Sequence, residues 1–278
     1  NLPILNEWHT KSILKKFDNI SWNESIKALH KPDNIGAFKK NFYQRLAFDE
    51  IFSTFLVNSE IRKKIKKNKK LNKVINIQKQ NSIIKTLDFS LTTDQIKSLK
   101  EINNDLSSSN KMFRLLQGDV GSGKTIVSLL AAYNSVNAGF QVGVMAPTEI
   151  LARQHFTLAK KIFSKNLRLE LISGKSIYKE KKVILDNLCN HKIDIIFGTH
   201  AIFQKKVNFK KLGLIIIDEQ HKFGVNQRKR LSDKGGVDCD VLLMTATPIP
   251  RTLTMTVYGD MDLSIIREKP QSRKPIKT

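Results

Sequence analysis

The sequence predicts an α/β fold in which a doubly wound, mainly parallel sheet follows a helical segment. Three observations carry that expectation. From about residue 35 to residue 70 the apolar residues recur at helical spacing, whereas from Lys111 onward short apolar runs alternate with helix-like stretches. Buried parallel strands read as continuous apolar runs, because helices cover both faces of their sheet. The third observation is "LLQGDVGSGKTIVSLLAA" at residues 115–132, where three glycines and a lysine fall together between apolar flanks. Packing alone gives no reason for that cluster, and a bound phosphate does.

The elements are justified in chain order. "FYQRLAFDEIFSTFL" places Phe42, Leu46, Phe48, Phe52, Phe55 and Leu56 mostly three or four residues apart, so one amphipathic helix within about residues 35–70 is expected to bury them. It runs into "IRKKIKKNKKLNK", and residues 61–80 hold nine basic side chains and no acidic one. That run fits either a solvated lysine-rich surface or a patch that contacts duplex. The strands are expected at "MFRLL", "QVGVMAP", "LRLELIS", "IDIIFGT", "LGLIIID" and "DVLLMTAT", with helices near 125–137 and 149–163 among them. Ligands of such sheets gather at the carboxyl ends of the strands, and each motif below sits at the end of one of these runs.

Length and composition bound the function. The 278 residues suffice for a sizeable core beside a smaller appendage. The formal net charge is +23, which suits a polyanionic partner such as nucleic acid or an acidic membrane surface. It also suits a biased composition, since Lys far outnumbers Arg and Ile and Asn are abundant. Cys189 and Cys239 have no CxxC partner, so neither a zinc site nor a disulfide framework is supported. No run of about 18 apolar residues and no signal-peptide pattern occurs. A cytoplasmic protein with no membrane partner is expected.

Gly118, Gly123, Lys124 and Thr125 match G-x-x-x-x-G-K-[ST] between an apolar strand and a helix. Backbone N–H groups of such a loop, including Gly121 and Ser122, can wrap the phosphates of ATP while glycines permit close approach. Lys124 is then placed to neutralise the β and γ oxygens, and the Thr125 hydroxyl to ligate Mg²⁺. "LGLIIIDEQH" supplies a Walker B pair. Asp218 leaves a hydrophobic strand where a lone carboxylate is costly and a Mg²⁺ ion offsets the cost, and Glu219 is placed to deprotonate an attacking water. The plain alternatives are a Gly-rich turn and an acidic helix start.

"GDVGSGKT", "APTEILARQHF", "GTHAIFQ", "DEQH" and "TATPIPRT" occur in the order and rough spacing of motifs I, Ia, Ib, II and III of superfamily 2 helicases. Their wording resembles the RecG family of bacterial ATP-dependent DNA helicases. The resemblance is strong over residues 89–278. Before it, "LPILNEWHTKSILKKF", "ALHKP" and "RLAFDEIF" are similar to the RecG linker between wedge domain and motor. The related transcription-repair coupling factor usually reads GDVGFGKT and DEEH, so Ser122 and Gln220 favour RecG.

The resemblance implies a helical linker at 1–85 and the first RecA-like P-loop NTPase lobe at 86–278. It further implies ATP and Mg²⁺ as cofactors, branched or forked duplex DNA as partner, and remodelling of forks and Holliday junctions in recombination and repair. In "FSLTTDQ" it assigns Phe89 to stack on adenine and Gln95 to bond the base edge, the alternative being a plain helix cap at Thr92 or Thr93. Pro147, Thr148, Arg153, Thr199 and His200 would contact the phosphates of one DNA strand, or else be ordinary turn and helix-start residues. Thr245 and Thr247 would link nucleotide to DNA track, or simply end a strand. His221 would be a coupling residue, with no second His or Cys at ligand spacing to make it a metal ligand. The chain starts at Asn1 without Met and ends after "EKPQSRKPIKT". It is therefore expected to be part of a longer chain that also holds a wedge domain and a second lobe, and to hydrolyse ATP very slowly alone. Two readings from other classes are an RNA helicase or other P-loop ATPase, and a basic DNA-binding module with a silent nucleotide fold. The first is not expected to share "DEQHKFGVNQR" or "TATPIPRT", and the second is not expected to keep Lys124 and Glu219.

Overall fold

The computed structural model describes residues 5–30, 38–67, 69–163, 166–172, 178–204, 207–219, 236, 238–247 and 261–270. The chain divides into two compact units, residues 1–62 with 250–260 and residues 63–249 with 261–278.

The first unit carries α1 (Lys11–Leu14), a 3₁₀ turn at Lys15–Phe17, α2 (Trp22–His30) and most of α3 (Phe38–Lys67). α3 is the long helix read from the sequence. Its expected apolar stripe is only partly buried: Phe48 and Phe52 stack with Trp8 and His9, but Phe55 and Leu56 stay 44% and 42% exposed. Among the described residues of this unit, two short helices and residues 5–10 are too few to cover a helix of 30 residues. A large side chain that is fully buried in this unit is instead Arg45, whose Nη2 donates to Glu7 Oε2 at 2.8 Å while Nη1 lies 3.4 Å from Asp49.

The second unit is built on a seven-stranded sheet in the order β3-β4-β2-β5-β6-β1-β7, every pair parallel. The strands are β1 (Phe113–Gly118), β2 (Gln141–Met145), β3 (Leu169–Ile172), β4 (Ile195–Gly198), β5 (Leu212–Ile217), β6 (Asp240–Thr245) and β7 (Asp262–Ile266). β1, β2, β4, β5 and β6 are buried at every residue, which is why they read as unbroken apolar runs. β7 is absent from the sequence reading because half-buried positions and Ser264 interrupt it at one edge of the sheet.

Helices α4 (Ile77–Lys85), α5 (Thr93–Ser107), α6 (Lys124–Asn137), α7 (Glu149–Phe163) and α8 (Tyr178–Cys189) flank the strands. α6 is buried almost throughout, from Ile126 to Ser135, so it is the central helix of the lobe. α4 lies within the stretch read from sequence as linker, yet Ile83 joins the core of this unit. Its Gln80 Oε1 accepts from Asn103 and Asn134 at 2.7 Å each, which ties α4 to α5 and α6. Arg168 and Asp194, ahead of β3 and β4, form a fork: Nη2 donates to Oδ1 at 2.5 Å and Nε to Oδ2 at 3.0 Å.

Part of the lysine-rich run is neither of the surfaces expected for it. Lys70 and Lys73 are fully buried at their side chains and both donate to Asp240 Oδ2, at 2.6 and 2.7 Å. Asp240 Oδ1 accepts the N–H of Met112 at 2.7 Å. Burial lowers the Lys70 ammonium from the ordinary lysine range, and Asp240 opposes that shift. Residues 70–73 therefore run across the amino ends of β1 and β6 as a strap pinned by two buried lysines, with Leu71 and Asn72 exposed between them.

Candidate nucleotide site

The carboxyl ends of five neighbouring strands carry the sequence motifs in a row. From one side to the other these are "GTHAIFQ" after β4, "APTEILARQHF" after β2, "IDEQH" after β5, "TATP" after β6 and "GDVGSGKT" after β1. The register fixes the neighbours: Met145 pairs with Gly198 and with Ile217, and Gln117 pairs with Thr245. Motifs as far apart in sequence as those beside Gln117 and Thr245 thus meet at one edge because parallel strands all end there.

Gly118 closes β1, and the loop after it turns through Gly121 at φ 81° and Gly123 at φ 86°, the latter capping α6. Both need the left-handed region that a Cβ disfavours. A Cβ on Gly118 would meet Ser122 Oγ at 2.5 Å and the Ile266 carbonyl at 2.9 Å. Lys124 is the first residue of α6 and is buried, with Nζ donating to the carbonyls of Gly118 and Asp119 at 2.5 and 2.9 Å. Burial lowers its pKa from the ordinary lysine value, while Asp218, Glu219 and Asp119 pull it back up. Thr125 is half-buried one residue further into the helix.

Asp218 follows β5 and is fixed by its N–H, which donates to the Met145 carbonyl at 2.8 Å. Its Oδ1 accepts the N–H of Glu219 at 3.0 Å. Glu219 takes φ 51°, a left-handed turn that a non-glycine residue adopts at a cost of roughly 1–3 kcal/mol. The sharp turn follows the end of the strand, and both carboxylates lie within electrostatic reach of Lys124.

The remaining residues fall into separate groups. Phe89 is 43% exposed and lines a groove of about 860 Å³ with Leu91, Ile96 and Leu99. Gln95 is buried elsewhere. Its Oε1 accepts the N–H of Thr92 at 2.9 Å in a capping box at the start of α5, and its Nε2 donates to the Ser122 carbonyl at 2.7 Å. Both ends of the Gln95 amide are thus engaged within the protein, joining the α5 cap to the phosphate-type loop. Pro147 is half-buried and Thr148 exposed ahead of α7, with Thr148 Oγ1 accepting from the N–H of Leu151 at 3.3 Å. Arg153 on α7 and His200 are exposed, and Thr199 is half-buried. Thr245 is buried and its hydroxyl is 2.8 Å from that of Thr247, whose carbonyl accepts from Gln117 Nε2 at 3.4 Å. His221 and Gln220 lie outside the described residues.

One partner of the site was not read from the sequence. His155 Nε2 lies 2.8 Å from Asp218 Oδ2, both side chains about nine-tenths buried. The signal for it is the spacing Ala152, His155, Ala159, Phe163, the buried stripe of α7, in which one ring stands among apolar residues. Among the described residues no group of three or more His, Cys, Asp or Glu side chains forms a metal cage, and no helix is long and apolar enough to cross a membrane.

The loop and the donor set suit a magnesium-bound triphosphate. Ser122 Oγ is buried with no hydrogen-bond partner among the described residues, the loop has glycines where a Cβ would close it, and a desolvated ammonium lies within the field of Asp218, Glu219 and Asp119.

Comparison with known proteins agrees with this arrangement. The DEAD/DEAH box helicase family profile matches residues 92–256. The ATP-dependent DNA helicase RecG of Streptococcus pneumoniae is 44% identical over 277 residues, covering 99% of this chain and 41% of that protein. The protein of the same name from Thermotoga maritima is 42% identical over 281 residues, covering 99% of this chain and 35% of its own. A solved structure of RecG bound to a three-way DNA junction superposes with TM-score 0.81 at 39% identity, over 98% of this chain and 37% of that one. The chain thus spans between 35% and 41% of the length of these relatives.

Proposed function

We infer that this chain, which belongs to the DEAD/DEAH box helicase family, is the nucleotide-binding lobe of a RecG-type, ATP-dependent DNA helicase that remodels branched DNA, including forks and Holliday junctions. The observation that carries the reading is the meeting of Lys124 with Asp218 and Glu219 at the ends of β1 and β5, beside a loop shaped for an anion. The similarity to RecG proteins over nearly the whole chain supports DNA as the substrate class.

In this reading Gly118, Gly121, Ser122, Gly123 and Lys124 cradle the triphosphate, Thr125 and Asp218 hold Mg²⁺, and Glu219 takes a proton from the attacking water. Mg²⁺ bound with ATP supplies charge neutralisation to the phosphates. Phe89 stacks on the base. Gln95 reaches the base edge only by giving up its present bonds to Thr92 and Ser122. Pro147, Thr148, Arg153, Thr199 and His200 form the DNA track, and Thr245 and Thr247 lie between track and nucleotide. Residues 86–278 form the first motor lobe, with α4 packed into its core, and the helical segment before it is the linker to a wedge domain.

Titration with a fluorescent ATP analogue tests the reading. Lys124→Ala is expected to weaken Mg·ATP binding at least tenfold, which corresponds to about 1.4 kcal/mol, in a chain whose circular dichroism is unchanged. Wild-type affinity in that variant overturns the assignment.

A further inference from the structure

We propose that His155 is a positioning residue for Asp218, and that it holds the carboxylate in the orientation from which Mg²⁺ is bound. The inference rests on the reading of Asp218 as the metal-side carboxylate.

Asp218 is held through both of its carboxylate oxygens. It stands at the end of a fully buried strand, where a free carboxylate is costly. Its Oδ1 is held by the N–H of Glu219 at 3.0 Å, a bond within the same turn that leaves rotation about the side chain's remaining axis poorly restrained. The second oxygen, Oδ2, meets His155 Nε2 at 2.8 Å. An ionised carboxylate only accepts, so the bond is made with a proton on His155 Nε2, which donates it. The two bonds together fix the plane of the carboxylate, and each oxygen keeps lone pairs for a cation.

His155 is itself immobilised. It lies on the buried stripe of α7 between Ala152 and Ala159, whose small side chains give the ring room to reach the sheet end, and it is 7% exposed. An ordinary core histidine would be satisfied by a backbone carbonyl of a neighbouring element. This one is spent on the acidic residue of the site, across 63 residues of sequence. Groups that orient metal-binding carboxylates and imidazoles in this way change metal affinity by about 10–100-fold when removed.

The test measures the Mg²⁺ dependence of binding of a fluorescent ATP analogue by this chain, from excess EDTA to millimolar Mg²⁺. His155→Ala is expected to raise the Mg²⁺ concentration for half-maximal effect by about tenfold, with affinity in EDTA unchanged. His155→Gln carries an amide N–H near the position of Nε2 and is expected to restore the wild-type dependence, whereas His155→Asn, whose amide stops short, is not. A folded His155→Ala chain with wild-type Mg²⁺ dependence overturns the proposal. Should the alanine chain fail to fold, equal behaviour of the Gln and Asn chains overturns it. Asp218→Asn is the control for the underlying reading: if it leaves the Mg²⁺ dependence intact, Asp218 is not the metal-side carboxylate and the proposal falls with that reading. If Asp218→Asn abolishes the dependence and no His155 substitution moves it, the proposal alone falls.

Discussion

Lys73 Nζ lies 2.7 Å from Asp240 Oδ2 with no solvent exposure on either side chain, and Lys70 shares the same oxygen. One buried carboxylate therefore serves two buried ammonium groups, and losses on the two sides of this cluster should be unequal. Asp240→Asn leaves both cations uncompensated and is expected to destabilise by about 3–5 kcal/mol. Lys73→Met leaves the one-to-one pair of Lys70 and Asp240 and is expected to cost about 1–2 kcal/mol, mostly lost hydrogen bonding. Urea denaturation at pH 7 distinguishes them; equal losses contradict the account.

Asp194 gives a pH-dependent prediction. Its largest single influence is burial, which raises the pKa, but the side-chain and backbone hydrogen bonds from Arg168 and that residue's charge together outweigh it, and the net shift is downward. A depressed carboxylate pKa contributes stability that is present above the unfolded value, near 3.9, and is lost as pH falls through the folded value. Because the Arg168 side chain is about half exposed, the contribution is set at about 1–2 kcal/mol. Asp194→Asn is expected to lower the urea midpoint clearly at pH 7 and by less at pH 3, below the unfolded value. A penalty as large at pH 3 as at pH 7 counts against the Arg168 fork as its source.

Gly123 and Gly139 make a matched pair, both left-handed at φ 86° and 84°. A Cβ at Gly139 meets nothing within 4 Å, whereas one at Gly123 runs into Gln95 Nε2. Both alanine substitutions should cost about 1–2 kcal/mol from the backbone. Only Gly123→Ala should also displace Gln95 from Ser122 and weaken binding of the ATP analogue, by about tenfold or more. Equal binding in the two variants would show that the Gln95 contact has no part in shaping the loop.

The two acidic residues after β5 should separate by role. Glu219→Gln is expected to keep Mg·ATP affinity within about threefold while losing turnover in the intact helicase, and Asp218→Asn to lose metal-dependent binding as well. Equilibrium titration beside phosphate release reads both quantities. Equal binding losses in the two variants contradict the division.

Much of the sheet was legible because parallel strands buried on both faces leave long apolar runs. "LGLIIID" and "DVLLMTAT" are β5 and β6, buried from end to end. β7 escaped because an edge strand carrying Asp262 and Ser264 has no such run. The phosphate-type loop was legible from spacing alone, since few other structures need Gly123, Lys124 and Thr125 in that order. Lys70 and Lys73 were not: a lysine belongs to the surface unless a carboxylate waits for it inside, and Asp240 lies some 170 residues away. Gln95 was read as a base contact, yet it also closes a helix cap and reaches Ser122, a second task visible in the T-x-x-Q spacing. His155 had its signal in the buried stripe of α7, where a lone polar ring asks for a partner.

Arg153 and His155 stand two residues apart on α7, which turns their side chains about 200° from each other around the helix. Arg153 faces solvent and His155 rests on Asp218. A small roll of the helix about its long axis breaks none of its internal hydrogen bonds, yet carries the outer and inner side chains in opposite directions. The exposed side chain and the buried one are thus separated by the breadth of a single helix, so Arg153 and Asp218 are linked through α7 with no loop between them.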